Sequence, residues 1–72
     1  MNQHMRITSY IMRYGSITTM EAYDDLGITK LATRISEMRQ LGMPIVDIFE
    51  TGKNRFGEPV RYKRYFFGGN DD

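Results

Sequence analysis

Lys30, Thr33, Arg34 and Glu37 place donors, a hydroxyl and a carboxylate close together in the segment Lys30–Leu41. Leu31, Ile35 and Met38 recur in that segment at i, i+4 and i+7, the spacing of one buried helix stripe, with Ala32 and Leu41 flanking it. At 100° per residue the outer face then holds Lys30, Thr33, Glu37 and Gln40, with Arg34 and Ser36 at its edges. A polar helix face of this kind suits the edges of base pairs in a major groove. Lys30 or Arg34 can donate to guanine O6 and N7, Thr33 can meet a thymine methyl, and Glu37 can accept from cytosine N4. Thr29, as the N-cap, would offer its hydroxyl and the free N–H groups beside it to a phosphate. The competing reading is a plain solvated face.

A second cluster lies in the C-terminal third. Lys53, Asn54 and Arg55 sit between Gly52 and Gly57, and Arg61, Lys63 and Arg64 follow. Residues 51–67 hold five Lys/Arg against the single acid Glu58, although the whole chain carries only +1. A basic loop can lie along a minor groove or a phosphate backbone, where an extended arginine gains from the negative potential. Arg61 and Lys63 then read as phosphate contacts or as charges that protect a sheet edge. Residues 1–29 lean the other way, with Arg6 and Arg13 against Glu21, Asp24 and Asp25. Asp24 and Asp25 oppose the dipole at the end of their helix, so they need partners such as Arg6, Arg13 or Arg39, or a protein surface.

Other chemistries find little footing. There are no cysteines and one histidine, His4, so neither a disulfide framework nor a zinc site is expected. His4 reads as a solvated residue at a helix start. Ser9, Ser16 and Ser36 have no neighbouring base, and Thr51-Gly52-Lys53 lacks the spacing of a phosphate loop. No catalytic residue, cofactor or metal is expected. A chain of 72 residues buries only about 60% of its unfolded surface, which leaves room for one small core and no deep cleft. No stretch approaches the ~18 apolar residues of a membrane span, and no secretion signal is visible. The expected location is the cytoplasm, at the nucleoid if the chain binds DNA.

The elements that must carry these groups follow from the punctuation. Gly15, Gly27 and Gly42 each close an apolar-periodic segment, and Thr18-Thr19-Met20-Glu21 fits a capping box. Three helices are predicted: Gln3–Tyr14 with the stripe Ile7, Tyr10, Ile11 and Tyr14, a short one that starts after Thr18 and ends at Leu26, and Lys30–Leu41. Pro44 stops the last of them. Ile45–Phe49 and Val60–Phe67 are β-branched and aromatic, and the turn-rich stretch Thr51–Pro59 joins them as a hairpin. Residues 68–72 read as a flexible tail beyond a domain of 1–67. Of nine aromatics, most are expected in the core, although Tyr65, Phe66 and Phe67 cannot all point to one side of a strand.

This order predicts an α+β fold, a winged helix-turn-helix: three helices followed by a β-hairpin wing, with a short third strand at Ser16-Ile17. The tight connection Leu26-Gly27-Ile28-Thr29 makes the second and third helices cross steeply. Residues 3–66 also resemble the small winged helix-turn-helix proteins of phages and prophages, particularly of Gram-positive hosts. The resemblance is carried by Gly15-Ser16-Ile17-Thr18-Thr19-Met20-Glu21-Ala22, Leu26-Gly27-Ile28-Thr29-Lys30-Leu31-Ala32-Thr33-Arg34-Ile35, Gly52-Lys53-Asn54-Arg55-Phe56-Gly57 and Val60-Arg61-Tyr62. It implies a double-stranded DNA-binding protein that regulates transcription or assists recombination or excision. One module offers little interface, so a homodimer or tandem sites are expected. The alternative is a module that kept the scaffold but binds a host or phage protein through the second helix or exposed aromatics.

Overall fold

The computed structural model describes residues 2–68. Helix α1 spans Gln3–Tyr14, where Asn2 accepts from the Met5 N–H at 2.8 Å and Gly15 closes the end. Helix α2 spans Thr19–Leu26, and its capping box forms as predicted. The Glu21 N–H donates to Thr18 Oγ1 at 3.2 Å, and the Thr18 N–H donates to Glu21 Oε1 at 3.0 Å. Gly27 then takes φ +69, a left-handed conformation that glycine adopts readily because it has no Cβ, and Ile28 N–H turns back onto the Ala22 carbonyl at 3.0 Å. That turn drives Ile28 fully into the core, so α2 and α3 are pinned at their junction as well as along their faces.

Helix α3 spans Leu31–Gln40, one residue shorter at each end than the sequence suggests. The expected N-cap at Thr29 is wrong. The Lys30 carbonyl accepts the first intrahelical bond from Arg34 N–H at 3.1 Å, so Lys30 is the boundary, and no side chain among the described residues caps this end. Thr29 sits one position too early to reach the free amides.

Three antiparallel strands complete the fold: β1 (Ile17–Thr18), β2 (Ile45–Lys53) and β3 (Pro59–Phe67), in the spatial order β1-β3-β2. The third strand lies one residue later than the predicted Ser16-Ile17, pairing Ile17 with Tyr65 and Thr18 with Arg64. The hairpin strands are longer than expected and the loop correspondingly shorter, because Gly52 pairs with Val60 inside the ladder. A Cβ there would stand 3.3 Å from the Tyr62 ring, so glycine marks a close approach across the strands and not a turn. Residues 69–72 of the expected tail lie outside the described residues.

Ile7, Ile11, Ile17, Ala22, Ile28, Leu31, Ile35, Met38, Ile45 and Tyr65 form the core. Every element contributes, so the helices and the hairpin root share one packed interior. The expectation that most aromatics are core is overturned: among them only Tyr65 is buried. Six of the ten core positions are isoleucine, and so small an interior has no volume left for the rings. Tyr14 leaves its predicted stripe for solvent and tilts against Tyr10, with ring centroids 4.6 Å apart. No helix among the described residues is long and apolar enough to cross a membrane.

Candidate nucleic-acid interface

Burial of Leu31, Ile35 and Met38 fixes which way α3 looks outward. Directly opposite that stripe stand Thr33, Ser36 and Gln40, all exposed, with exposed Thr29 and Lys30 at the N-terminal end. Ser36 and Gln40 are the outward residues that a site list built on charge overlooks. The helical wheel already holds Gln40 on the outer face and Ser36 at its edge, and the two stand out once Arg34 and Glu37 are drawn aside by their ion pairs.

Arg34 and Glu37 turn toward the start of α1. Arg34 Nη2 lies 3.1 Å from Glu37 Oε2, and His4 Nε2 lies 2.7 Å from Glu37 Oε1. His4 is therefore not the solvated residue expected from its position. It ties α1 to α3, and both oxygens of Glu37 are engaged within the chain. Arg34 Nε is buried without a hydrogen-bond partner, and its side chain lines a shallow depression of about 470 Å³ with Asn2, Gln3, His4 and Arg6.

On the other flank, Arg39 reaches the hairpin. Its Nε donates to the Ile45 carbonyl at 3.0 Å and its Nη2 to Asp47 Oδ1 at 2.7 Å. Arg39 holds the Asp47 carboxyl below its ordinary range, and Lys63, 3.6 Å from Asp47 Oδ2, adds to the effect. Paired residues of an antiparallel ladder point to one side. Asp47 with Tyr65, Phe49 with Lys63, Thr51 with Arg61 and Lys53 with Pro59 therefore share a face, and it is the face that buries Ile45 and Tyr65 under the helices. Arg61 lies with its guanidinium carbon 4.3 Å from the Phe49 ring centroid, and Lys63 Nζ at 5.4 Å. The run Arg39, Asp47, Lys63, Phe49, Arg61 carries a positive surface from the end of α3 out along the hairpin.

The loop after β2 holds Lys53, Asn54 and Arg55, all exposed. Among the described residues, neither Lys53 nor Arg55 forms a salt bridge. Asn54 faces inward on the loop. Its Oδ1 accepts from Phe56 and Glu58 N–H at 2.9 and 3.1 Å, and its Nδ2 donates to Glu58 Oε1 at 2.9 Å.

The acidic groups of α2 mostly have internal tasks. Glu21 closes the capping box and sits 3.7 Å from Arg64. Asp25 accepts from the Tyr10 hydroxyl at 2.5 Å, which raises the phenol above its ordinary pKa, with burial and the charge of Glu21 adding. Among the described residues Asp24 and Asp25 form no salt bridge with Arg6, Arg13 or Arg39, and Arg39 is held by Asp47 instead. Arg64 belongs to the opposite face of the sheet. It donates to Glu50 at 2.9 Å and Ser16 Oγ at 3.0 Å, and Glu50 holds its guanidinium above the ordinary value. No group of three or more potential metal ligands occurs among the described residues.

A comparison with curated proteins and one with solved structures each return no match. The family comparison does: residues 2–70 match the model of the winged helix-turn-helix domain, so an outward polar helix and a basic hairpin linked through Arg39, Asp47 and Lys63 belong to a chain that is a member of the winged helix-turn-helix domain family.

Proposed function

We propose that this protein binds double-stranded DNA, with α3 in the major groove and the hairpin as a wing on the adjoining backbone and minor groove. The winged helix-turn-helix family itself suggests DNA binding. The observation that carries the reading here is geometric: Thr33, Ser36 and Gln40 look outward from α3, and Arg39 joins that helix to the hairpin face that carries Lys63, Arg61 and Lys53. Side chains of this size on a helix can reach base edges. Gln40 can pair with adenine N6 and N7, Thr33 and Ser36 can meet either donor or acceptor, and Lys30 can reach a guanine or a phosphate. Arg34, on the flank, suits a phosphate better than a base. Asn54 acts as the brace of the wing, while Lys53 and Arg55 make its contacts.

The narrower role is that of a regulator of transcription or an accessory factor in recombination or excision. It rests on the resemblance to phage and prophage proteins. The chain needs no catalytic residue or cofactor for it. A single module has a small footprint, so two copies on adjacent half-sites fit the role.

A second reading, a protein-binding module, draws on the sheet's other face. Val46 and Ile48 there are 50% and 48% exposed on the edge strand β2. The dispersal of the α2 acids into caps and internal bonds weakens the version that relied on them.

A salt titration on mixed-sequence duplex tests the main reading. If Lys30, Arg34, Lys53, Arg55 and Arg61 meet five phosphates, log K falls against log salt with a slope of about −4.5. Absence of binding at low salt overturns it. Gln40→Ala, read by selection from a random duplex pool, changes sequence preference at one position by about 1–3 kcal/mol. An unchanged preference removes Gln40 from the reading surface.

A further inference from the structure

The tip of the hairpin spends its polar groups on itself. Asn54 N–H donates to the Glu58 carbonyl at 3.0 Å, and Gly57 N–H donates to the Asn54 carbonyl at 3.0 Å. The Asn54 amide closes three more bonds, to Phe56 N–H, Glu58 N–H and Glu58 Oε1. Gly57 takes φ +79, a conformation that side chains rarely adopt. The outcome of this bracing is a fixed backbone at Phe56, whose ring is 80% exposed, more than any other large apolar side chain described. The ring has no aromatic or cation–π partner among the described residues. Phe49, the other exposed ring on the hairpin, differs in both respects, because Arg61 and Lys63 cover it.

We propose that Phe56 is a wedge that enters a base step of the bound duplex from the minor groove, while Lys53 and Arg55 hold the phosphates beside it. The proposal rests on the DNA-binding reading above and adds the deformation that binding imposes. Apolar side chains inserted between base pairs unstack them and kink the helix toward the major groove. Three features of the tip suit that task. The ring is presented outward with no aromatic or cation–π contact to break among the described residues. Its backbone is ordered in advance, so little conformational freedom is lost on insertion. The neighbouring cations carry no salt bridge among the described residues, which leaves them to meet the backbone on both sides of the opened step. The preferred target therefore has a pyrimidine–purine step, TA or CA/TG, under the wing, since these steps open most easily.

The test uses the whole chain and a duplex of about 20–30 base pairs selected by it from a random pool. Dyes at the two ends report the bend, and 2-aminopurine placed in turn at each adenine under the wing reports unstacking. The wild-type protein brightens 2-aminopurine at one step and kinks the duplex by about 20° or more. Phe56→Ala binds about tenfold more weakly, leaves the probe dark and leaves the duplex straight. Phe56→Leu, still apolar, restores much of both signals. An unfolding curve for Phe56→Ala that overlays the wild type shows that the loss is not one of fold. If Phe56→Ala brightens the probe and bends the duplex as the wild type does, the wedge is overturned and DNA binding stands. If the wild type selects no duplex, the DNA-binding reading itself has failed.

Discussion

The two ends of one hairpin are built on different physics. At the root, Ile45 and Tyr65 are 6% and 4% exposed, and both belong to the one apolar cluster to which all three helices contribute. At the tip, nothing apolar is buried, and position is set by one asparagine and one left-handed glycine. The root belongs to the cooperative core, so its geometry is as stable as the fold. The tip is held by short-range bonds that cost the fold little if lost. A surface meant to meet a partner gains from this division, because its side chains are fixed in place without being consumed by packing.

The sharpest way to break the contrast is at the root. Tyr65→Ala removes a buried ring and should cost about 3–5 kcal/mol. A domain of this length has roughly 4–11 kcal/mol of stability in all, so the variant should be close to unfolding at room temperature. Urea unfolding followed by circular dichroism checks this. A loss below about 1 kcal/mol would mean that the hairpin root does not unfold with the core.

At the tip the same kind of substitution should act on binding alone. Lys53→Ala with Arg55→Ala should leave unfolding within about 0.5 kcal/mol of wild type. Affinity should fall alike for all duplex sequences, and the salt slope should shrink by roughly 2. A change in sequence preference without a change in slope would place these two residues on bases and not on phosphates.

The brace of the tip can be tested separately. Gly57→Ala asks a residue with a Cβ to hold φ +79, and should cost about 1 kcal/mol. No atom crowds that position, so the strain is purely of the backbone. Amide exchange should quicken at Phe56 and Glu58, whose N–H groups Asn54 holds, and not at Tyr65. Exchange quickening throughout would show that tip and root unfold together.

Sequence patterning located the helices, the capping box and the hairpin, because each is written in local spacing: Ile7 and Ile11, Thr18 and Glu21, Leu31, Ile35 and Met38. It also placed the candidate basic loop. What it missed depends on contacts far apart in the chain. His4 and Glu37 are 33 residues apart and meet only because α1 crosses α3. Asp47 reads as a lone acid in a strand until Arg39 and Lys63 close on it. Asn54 reads as a polar contact because its type suits one, and only the loop geometry shows its amide turned inward. The aromatics misled for a different reason: hydrophobicity says that a ring can be buried, not that the core has room for it.

The smallest expected effect concerns the joint between the two regimes, and it has opposite signs in folding and in binding. Asp47→Asn removes the charge that gathers Arg39 and Lys63. The folded carboxyl titrates below its ordinary value of 3.8, so its contribution to stability is complete above that value and is lost as pH falls through the lower folded value. The variant should therefore be slightly less stable than wild type at neutral pH, and the two should converge in acid. The group is only partly buried, so solvent screening keeps the difference small. In binding, the same change removes a carboxylate from the cationic face and releases two donors toward the phosphates. Duplex affinity at low salt should rise, and the salt slope should steepen by about 1. Paired thermal melts at neutral and acid pH, beside a salt titration of the same preparation, read both signs. Weaker binding by Asp47→Asn would mean that Asp47 holds Arg39 and Lys63 in the geometry DNA requires, which would extend the rigid root further along the hairpin than the burial pattern implies.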